Sequence, residues 1–211
     1  MFRDRVDAGR QLAEALRHYK DLDVVVYALP RGGVVLGAEV ARYLEAPLDL
    51  IVVRKIGHPS QPEYAIGAVA EDGFVVANPD ETISLVKSWF EHATAAELKE
   101  AQRRRALFLE GRPPVEVKGK TAIIIDDGLA TGLTMLAAIH EIHKRGPRKV
   151  VVAVPVAAAD TVGRLKREVD ELVALCVPKG WFGAIGAFYE SFTQVSDDEV
   201  ISLMKSPVRL Q

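Results

Sequence analysis

Runs of β-branched residues alternate along this chain with segments whose apolar positions recur every three or four residues. Val24 to Leu29, Leu48 to Val53, Ala122 to Ile125, Val150 to Val154 and Leu172 to Cys176 are short, nearly continuous apolar runs. Such runs predict strands covered on both faces, as in a parallel sheet. Between them, helical spacing appears at Phe2, Val6, Leu12, Leu16 and Tyr19, then at Val34, Val35, Ala38, Ala41 and Leu44, and again at Leu136, Ile139 and Ile142. Asp160 is placed to cap a further short helix reaching Leu165. Strands alternating with helices predict a single α/β domain: a central, mostly parallel sheet flanked by helices and joined by right-handed crossovers.

Three stretches depart from this rhythm. Asn78, Pro79 and Glu81 suit the N-cap, N1 and N3 positions of one long helix with an apolar face of Ile83, Val86, Phe90, Leu98, Ala101 and Phe108, ending near Gly111, Pro113 and Pro114. Arg103, Arg104 and Arg105 on its last turns read as a solvated face that complements the helix dipole. Gly57 to Gly73 opens with prolines, Ser60 and Gln61, which predicts a loop, with Ala65 to Val69 as a short hairpin strand; the whole span of about 57–77 is the expected flexible lid. From Val177 to Gln211, scattered glycines among Trp181, Phe182, Phe188, Tyr189 and Phe192 predict a small appendage to a core spanning 1–176.

Composition narrows the classes. The 211 residues are 49% hydrophobic, enough for one sizeable core, and the formal charge of −2 gives no general attraction to nucleic acid or membranes. A single cysteine, Cys176, excludes an internal disulfide framework and reads as a core thiol. No apolar stretch reaches membrane-spanning length, and the start Met1-Phe2-Arg3-Asp4-Arg5 has no secretory hydrophobic region, so the cytoplasm is the expected location. His140 and His143, three apart on one helix, read as surface residues because no further Cys or His is near to complete a metal site.

The chemistry concentrates in Thr121 to Met135, TAIIIDDGLATGLTM. The apolar strand delivers Asp126 and Asp127 to its carboxyl end, where open parallel sheets bind ligands. Gly128, Leu129, Ala130, Thr131, Gly132, Leu133 and Thr134 then lead into a helix. Free N–H groups at that helix start, two glycines and two hydroxyls make a phosphate cradle. A carboxylate pair repels phosphate, so the acids face diol hydroxyls or a hydrated Mg²⁺, and a sugar phosphate presents these groups side by side. Pro30, Arg31, Gly32 and Gly33 follow the Val24 strand and precede a helix, a second anion site independent of the first. Arg54 and Lys55 end the Leu48 strand.

Two acids followed by a loop ending Thr-Gly-x-Thr resemble the phosphoribosyl-pyrophosphate motif of type I phosphoribosyltransferases. Together with Arg31-Gly32-Gly33, Arg54-Lys55-Ile56-Gly57, Ala65-Ile66-Gly67-Ala68 and Tyr189-x-x-Phe192-x-Gln194, the chain is most similar to a bacterial group of uncharacterised phosphoribosyltransferases. The resemblance implies a sheet of about five core strands with a lid and a C-terminal hood over 177–211. It implies that Asp126 and Asp127 hold the ribose hydroxyls, that the loop from Gly128 to Thr134 wraps the 5′-phosphate, and that Arg31, Gly32, Gly33, Arg54 and Lys55 meet the diphosphate. Mg²⁺ is the implied cofactor, held by substrate and water with no direct protein ligand expected, Asp126 and Asp127 being the candidate contacts. The partners are phosphoribosyl pyrophosphate and a small nitrogenous base, and relatives of this kind are often homodimers.

For the base, Phe182, Tyr189 and Trp181 are the stacking candidates, in that order. Members acting on 6-oxopurines commonly carry an acid where this chain has Ala130 and a lysine where it has Pro155 or Val156; the loop is closer to the adenine type, so the acceptor stays open. Catalysis by Asp126, Asp127, Lys55 and Arg31 is then positioning and charge stabilisation with release of pyrophosphate. Two other classes compete: a regulatory protein that binds phosphoribosyl pyrophosphate or a nucleotide without turnover, and a phosphohydrolase with Asp126 as nucleophile.

Overall fold

In the computed structural model, which describes residues 1–83, 85–180 and 183–205, a five-stranded parallel sheet carries the molecule. The strands are β1 (Val24–Ala28), β2 (Leu48–Leu50), β6 (Thr121–Ile125), β7 (Lys149–Val156) and β8 (Glu171–Cys176), in the order β2-β1-β6-β7-β8. Helix α1 (Arg5–Ala15) precedes β1, and α2 (Gly32–Leu44), α5 (Leu133–Lys144) and α6 (Ala159–Leu165) connect β1 to β2, β6 to β7 and β7 to β8. Every residue of β1 and β6 is buried. Successive side chains go to opposite faces: Val24, Val26, Ala28, Ile123 and Ile125 pack under α1 and α2, whereas Val25, Tyr27, Ala122 and Ile124 pack under α5. Each of the valine and isoleucine side chains contributes about 1.5–3 kcal/mol relative to exposure. Pairing Val26 with Ile123 and Ala28 with Ile125 puts the carboxyl ends of β1 and β6 side by side, so the segments that follow them share one crevice.

A smaller antiparallel sheet, β3 (Val53–His58), β4 (Gln61–Ala70) and β5 (Val75–Ala77), leans against α5. This corrects two expectations. The Leu48 strand leaves the main sheet after Leu50, so Arg54 and Lys55 belong to the small sheet and not to a central strand. The hairpin expected at Ala65 to Val69 is present but begins earlier: β4 starts at Gln61, inside the stretch expected to be a loop, with a register shift around Gly57. The hydrophobic run disguises the break because Ile51 and Val52, between the two sheets, are themselves buried.

The expected long helix is two. Asn78 caps only α3 (Pro79–Thr82), accepting from the Asp80 amide, and α4 (Lys87–Leu109) starts afresh after Val86. Glu81 takes the Tyr64 hydroxyl at 2.7 Å instead of closing a capping box, and Ile83 and Val86 are exposed. Cys176, expected in the core, is half-buried on edge strand β8. After β8 the chain returns to the core: Phe2 donates its amide to the Phe188 carbonyl, and α7 (Asp197–Lys205) buries Val200 and Met204 beside α2 and α4. Among the described residues no helix is long and apolar enough to cross a membrane.

Arg105 also departs from the solvated-face reading. It reaches Asp49 at 3.2 Å and Glu71 at 3.0 Å, and donates to the Leu50 carbonyl at 2.7 Å. Arg103 and Arg104 stay on Glu100. Burial, reinforced by Glu141 and opposed by Arg105, pushes the Glu71 carboxyl up to about 8. The folded chain therefore keeps a proton there that the unfolded chain releases above its ordinary value near 4.5. Stability is expected to fall as pH rises between those two values, by up to about 1.4 kcal/mol per unit for one proton. Urea denaturation of wild type and Glu71→Gln across that window checks this: the variant should lose the slope, and parallel profiles would refute it.

Candidate active site

The carboxyl ends of β1 and β6, the small sheet and the segment after β8 enclose a crevice of about 810 Å³. Asp126 and Asp127 sit at the end of β6, and Asp127 donates its amide to Asp126 Oδ1 at 2.8 Å. Burial raises both carboxyls; for Asp126 the neighbouring Asp127 charge adds to it, and for Asp127 the Arg5 guanidinium opposes it. Two adjacent buried carboxylates are costly unless a partner arrives with donors or positive charge. A ligand at this point relieves that cost.

The loop from Gly128 to Gly132 is pinned from outside. Leu129 bridges β7 through the Val156 carbonyl and the Ala158 amide. Thr161 Oγ1 and Arg164 Nη2, both from α6, donate to the carbonyls of Ala130 and Thr131. With these carbonyls bound to α6 and the Leu129 amide on β7, the loop has left its remaining amide groups, those at the start of α5, and the Thr131 and Thr134 hydroxyls. Gly132 has φ 74°, the left-handed region, and no side chain caps α5, so its first N–H groups are available to an anion. Thr131, Gly132 and Thr134 line the crevice, while Leu133 is turned into the contact with the small sheet.

The opposite corner comes from β1. The peptide between Pro30 and Arg31 is cis, and α2 begins at Gly32 without a side-chain cap. Gly32 lies so close to the acids that an added Cβ would sit 1.9 Å from Asp127 Oδ2, and one on Gly33 would sit 2.8 Å from the Ile125 carbonyl oxygen. Arg31 and Lys55 both line the crevice. Arg31 also reaches Asp197 at 3.4 Å. Arg54 is paired with Glu97 at 2.8 Å, whereas Lys55 makes no ion pair among the described residues. Both line the crevice; Arg54 carries a carboxylate partner there, and the Lys55 charge acts on Asp126 and Asp127.

The predicted stacking residues fare differently. Trp181 and Phe182 lie outside the described residues. Tyr189 is buried, its ring 5.5 Å from that of Phe2 and 4.8 Å from that of Phe192, and its hydroxyl donates to the Asp127 carbonyl at 2.6 Å. It braces the acidic turn and offers no ring face to a base. Ile185 and Phe192 line the crevice on this side, with Ile185 packed against Gly128. Arg5, which no motif marked, donates from Nε to Asp127 Oδ2 at 2.8 Å. Its partner is distant in sequence, so no local signal was available.

A family model described as the phosphoribosyl transferase domain matches residues 4–191. The chain belongs to that family. Rv0571c of Mycobacterium tuberculosis (strain ATCC 25618 / H37Rv), provisionally named a phosphoribosyl transferase, is 46% identical over 206 residues, 97% of this chain and 46% of the relative. The chain thus spans about half the length of that protein. The crystal structure of TT1426 from Thermus thermophilus superimposes with a TM-score of 0.79 at 44% identity, covering 96% of this chain and 97% of that one. A uracil phosphoribosyltransferase of Streptomyces griseus is 27% identical over 128 residues, 59% of this chain and 56% of that protein. The Asp126-Asp127 turn, the Arg31-Gly32 corner and the Phe192 wall all lie near or within the matched phosphoribosyl transferase region, with only Phe192 one residue beyond it.

Proposed function

We propose that this phosphoribosyl transferase domain moves the 5-phosphoribosyl group from phosphoribosyl pyrophosphate to a nitrogenous base, a pentosyl transfer that releases pyrophosphate. The observation that carries this reading is the meeting of paired acids, amide-rich loop and cationic corner around one crevice. Asp126 and Asp127 accept the ribose hydroxyls. The amides of Ala130 to Thr134 and the hydroxyls of Thr131 and Thr134 hold the 5′-phosphate. Arg31, the Gly32 and Gly33 amides and Lys55 receive the diphosphate and stabilise charge as it leaves. The base enters beside Ile185 and Phe192, and the small-sheet hairpin over 57–77 limits water at the reacting carbon.

Among the described residues no cluster of three or more His, Cys, Asp or Glu side chains is arranged to hold a metal. Two carboxylates at the crevice fit a hydrated Mg²⁺ carried on the diphosphate, held by Asp126 and Asp127 through water, where it would neutralise leaving-group charge. Acceptor, homodimerisation and a cytoplasmic setting remain parts of this proposal.

Incubation with phosphoribosyl pyrophosphate, Mg²⁺ and a panel of purine and pyrimidine bases tests it. Base-dependent release of pyrophosphate is expected for one class of base. Tight binding with no release for any base would replace the transferase with a sensor, and a trapped acyl-phosphate on Asp126 would replace it with a phosphohydrolase. Thr131→Val should weaken phosphoribosyl pyrophosphate binding by about 1–3 kcal/mol through loss of one donor. An unchanged dissociation constant would remove Thr131 from the phosphate site.

A further inference from the structure

Arg5 opens α1, yet its side chain belongs to the crevice. Nε donates to Asp127 Oδ2 at 2.8 Å, Nη1 donates to the Thr193 carbonyl at 2.7 Å, and the guanidinium carbon lies 3.7 Å over the centre of the Phe192 ring. Only 11% of the side chain is exposed. It also abuts the other anion corner, because a Cβ on Gly32 would come within 2.9 Å of its Nε. Four chain segments therefore meet on one guanidinium: the start of α1, the acidic turn, the start of α2 and the Phe192-Thr193 wall.

We propose that Arg5 is a positioning residue that fixes the Asp127 carboxylate for the ribose diol and ties it to the terminal wall of the crevice. The inference rests on the phosphoribosyl reading of the site. The backbone of Asp127 is already held, by its amide on Asp126 and its carbonyl on Tyr189. Its side chain is not, and two neighbouring carboxylates repel each other. Arg5 engages one oxygen from a defined direction, which leaves Oδ1 to accept a sugar hydroxyl. The planar fork matters as well as the charge: one side chain bonds Asp127 and Thr193 while stacking on Phe192. A lysine keeps the charge but cannot make all three contacts.

The test is calorimetric binding of phosphoribosyl pyrophosphate, ribose 5-phosphate and inorganic pyrophosphate, each with Mg²⁺, to wild type, Arg5→Gln, Arg5→Lys, Asp127→Asn and the Arg5→Gln/Asp127→Asn double variant. Arg5→Gln should weaken the two ribose-containing ligands by about ten- to a hundredfold. Pyrophosphate affinity should stay within about twofold, since the effect passes through the diol carboxylate. In the Asp127→Asn background the Arg5 substitution should add little, and Arg5→Lys should recover only part of the loss. Kinetically, KM for phosphoribosyl pyrophosphate should rise while KM for the base holds.

Phe192→Leu, which removes the ring beneath the guanidinium and keeps the ion pair, should give a smaller loss in the same direction, so the idea stays testable should Arg5→Gln fold poorly. Equal affinity of wild type and Arg5→Gln for ribose 5-phosphate overturns the inference alone. So does an equal loss for pyrophosphate, which would make Arg5 a direct diphosphate contact. Wild-type protein that binds none of the three ligands overturns the phosphoribosyl reading itself.

Discussion

Gly32→Ala is expected to lower kcat/KM for phosphoribosyl transfer by about 10²-fold or more while leaving the protein folded. The added methyl would stand 1.9 Å from Asp127 Oδ2, 2.7 Å from its Cγ and 2.9 Å from Arg5 Nε. None of those atoms belongs to the hydrophobic core, so the collision is relieved by moving the Asp127 carboxylate and the Arg5 guanidinium, not by unfolding. Displacing a reacting group or its holder by about 1 Å costs on the order of 10²-fold in rate. Gly33→Ala differs, because its methyl would press on the Ile125 carbonyl at 2.8 Å and the Asp126 Cα at 3.1 Å, both backbone atoms at the end of β6. Steady-state kinetics beside thermal melting separates the two effects. Retention of more than about a tenth of wild-type kcat/KM by a folded Gly32→Ala protein would show that the corner and the acids do not act in one site.

The part of this site that the sequence displayed is the part written contiguously. Thr121 to Thr134 holds strand, acids and loop in one stretch, and Val24 to Gly33 holds strand and corner in another, so local patterning was enough to find them. Adjacency of the two came from the parallel pairing of β1 with β6. Lys55 reaches the crevice by another route than the sequence suggested: the apolar run from Leu48 to Val53 reads as one strand, but two sheets bury it in turn. Arg105 looked solvated because its partners Asp49 and Glu71 lie on other elements. The split between α3 and α4 was hidden because Ile83 and Val86 fit the helical period although both are exposed. Arg5, Thr161 and Arg164 were missed, and Phe192 was seen only as one aromatic of the appendage, because each makes its contact across a long sequence separation, where no periodicity or spacing rule operates.

Lys55→Met is expected to have the other large effect, about 10²- to 10³-fold in kcat, the scale of losing one preorganised charge-stabilising donor. The side chain stands on β3 at the crevice, its register partner being Ala68 on β4. Arg54 cannot replace it, because Glu97 holds that guanidinium at 2.8 Å. Arg54→Met should therefore cost much less. A larger fall in kcat than rise in KM would mark Lys55 as acting mainly on the departing diphosphate. Similar losses for the two substitutions would mean that general positive potential, and not one placed cation, serves the reaction.

A crystal structure of the complex with phosphoribosyl pyrophosphate and Mg²⁺ bears most directly on the central claim. The 5′-phosphate is expected on the amides of Ala130 to Thr134, the ribose diol on Asp126 and Asp127, and the diphosphate between Arg31-Gly32 and Lys55. Density for the ligand outside this crevice, or with its diphosphate in the Thr131-Thr134 loop, would contradict it.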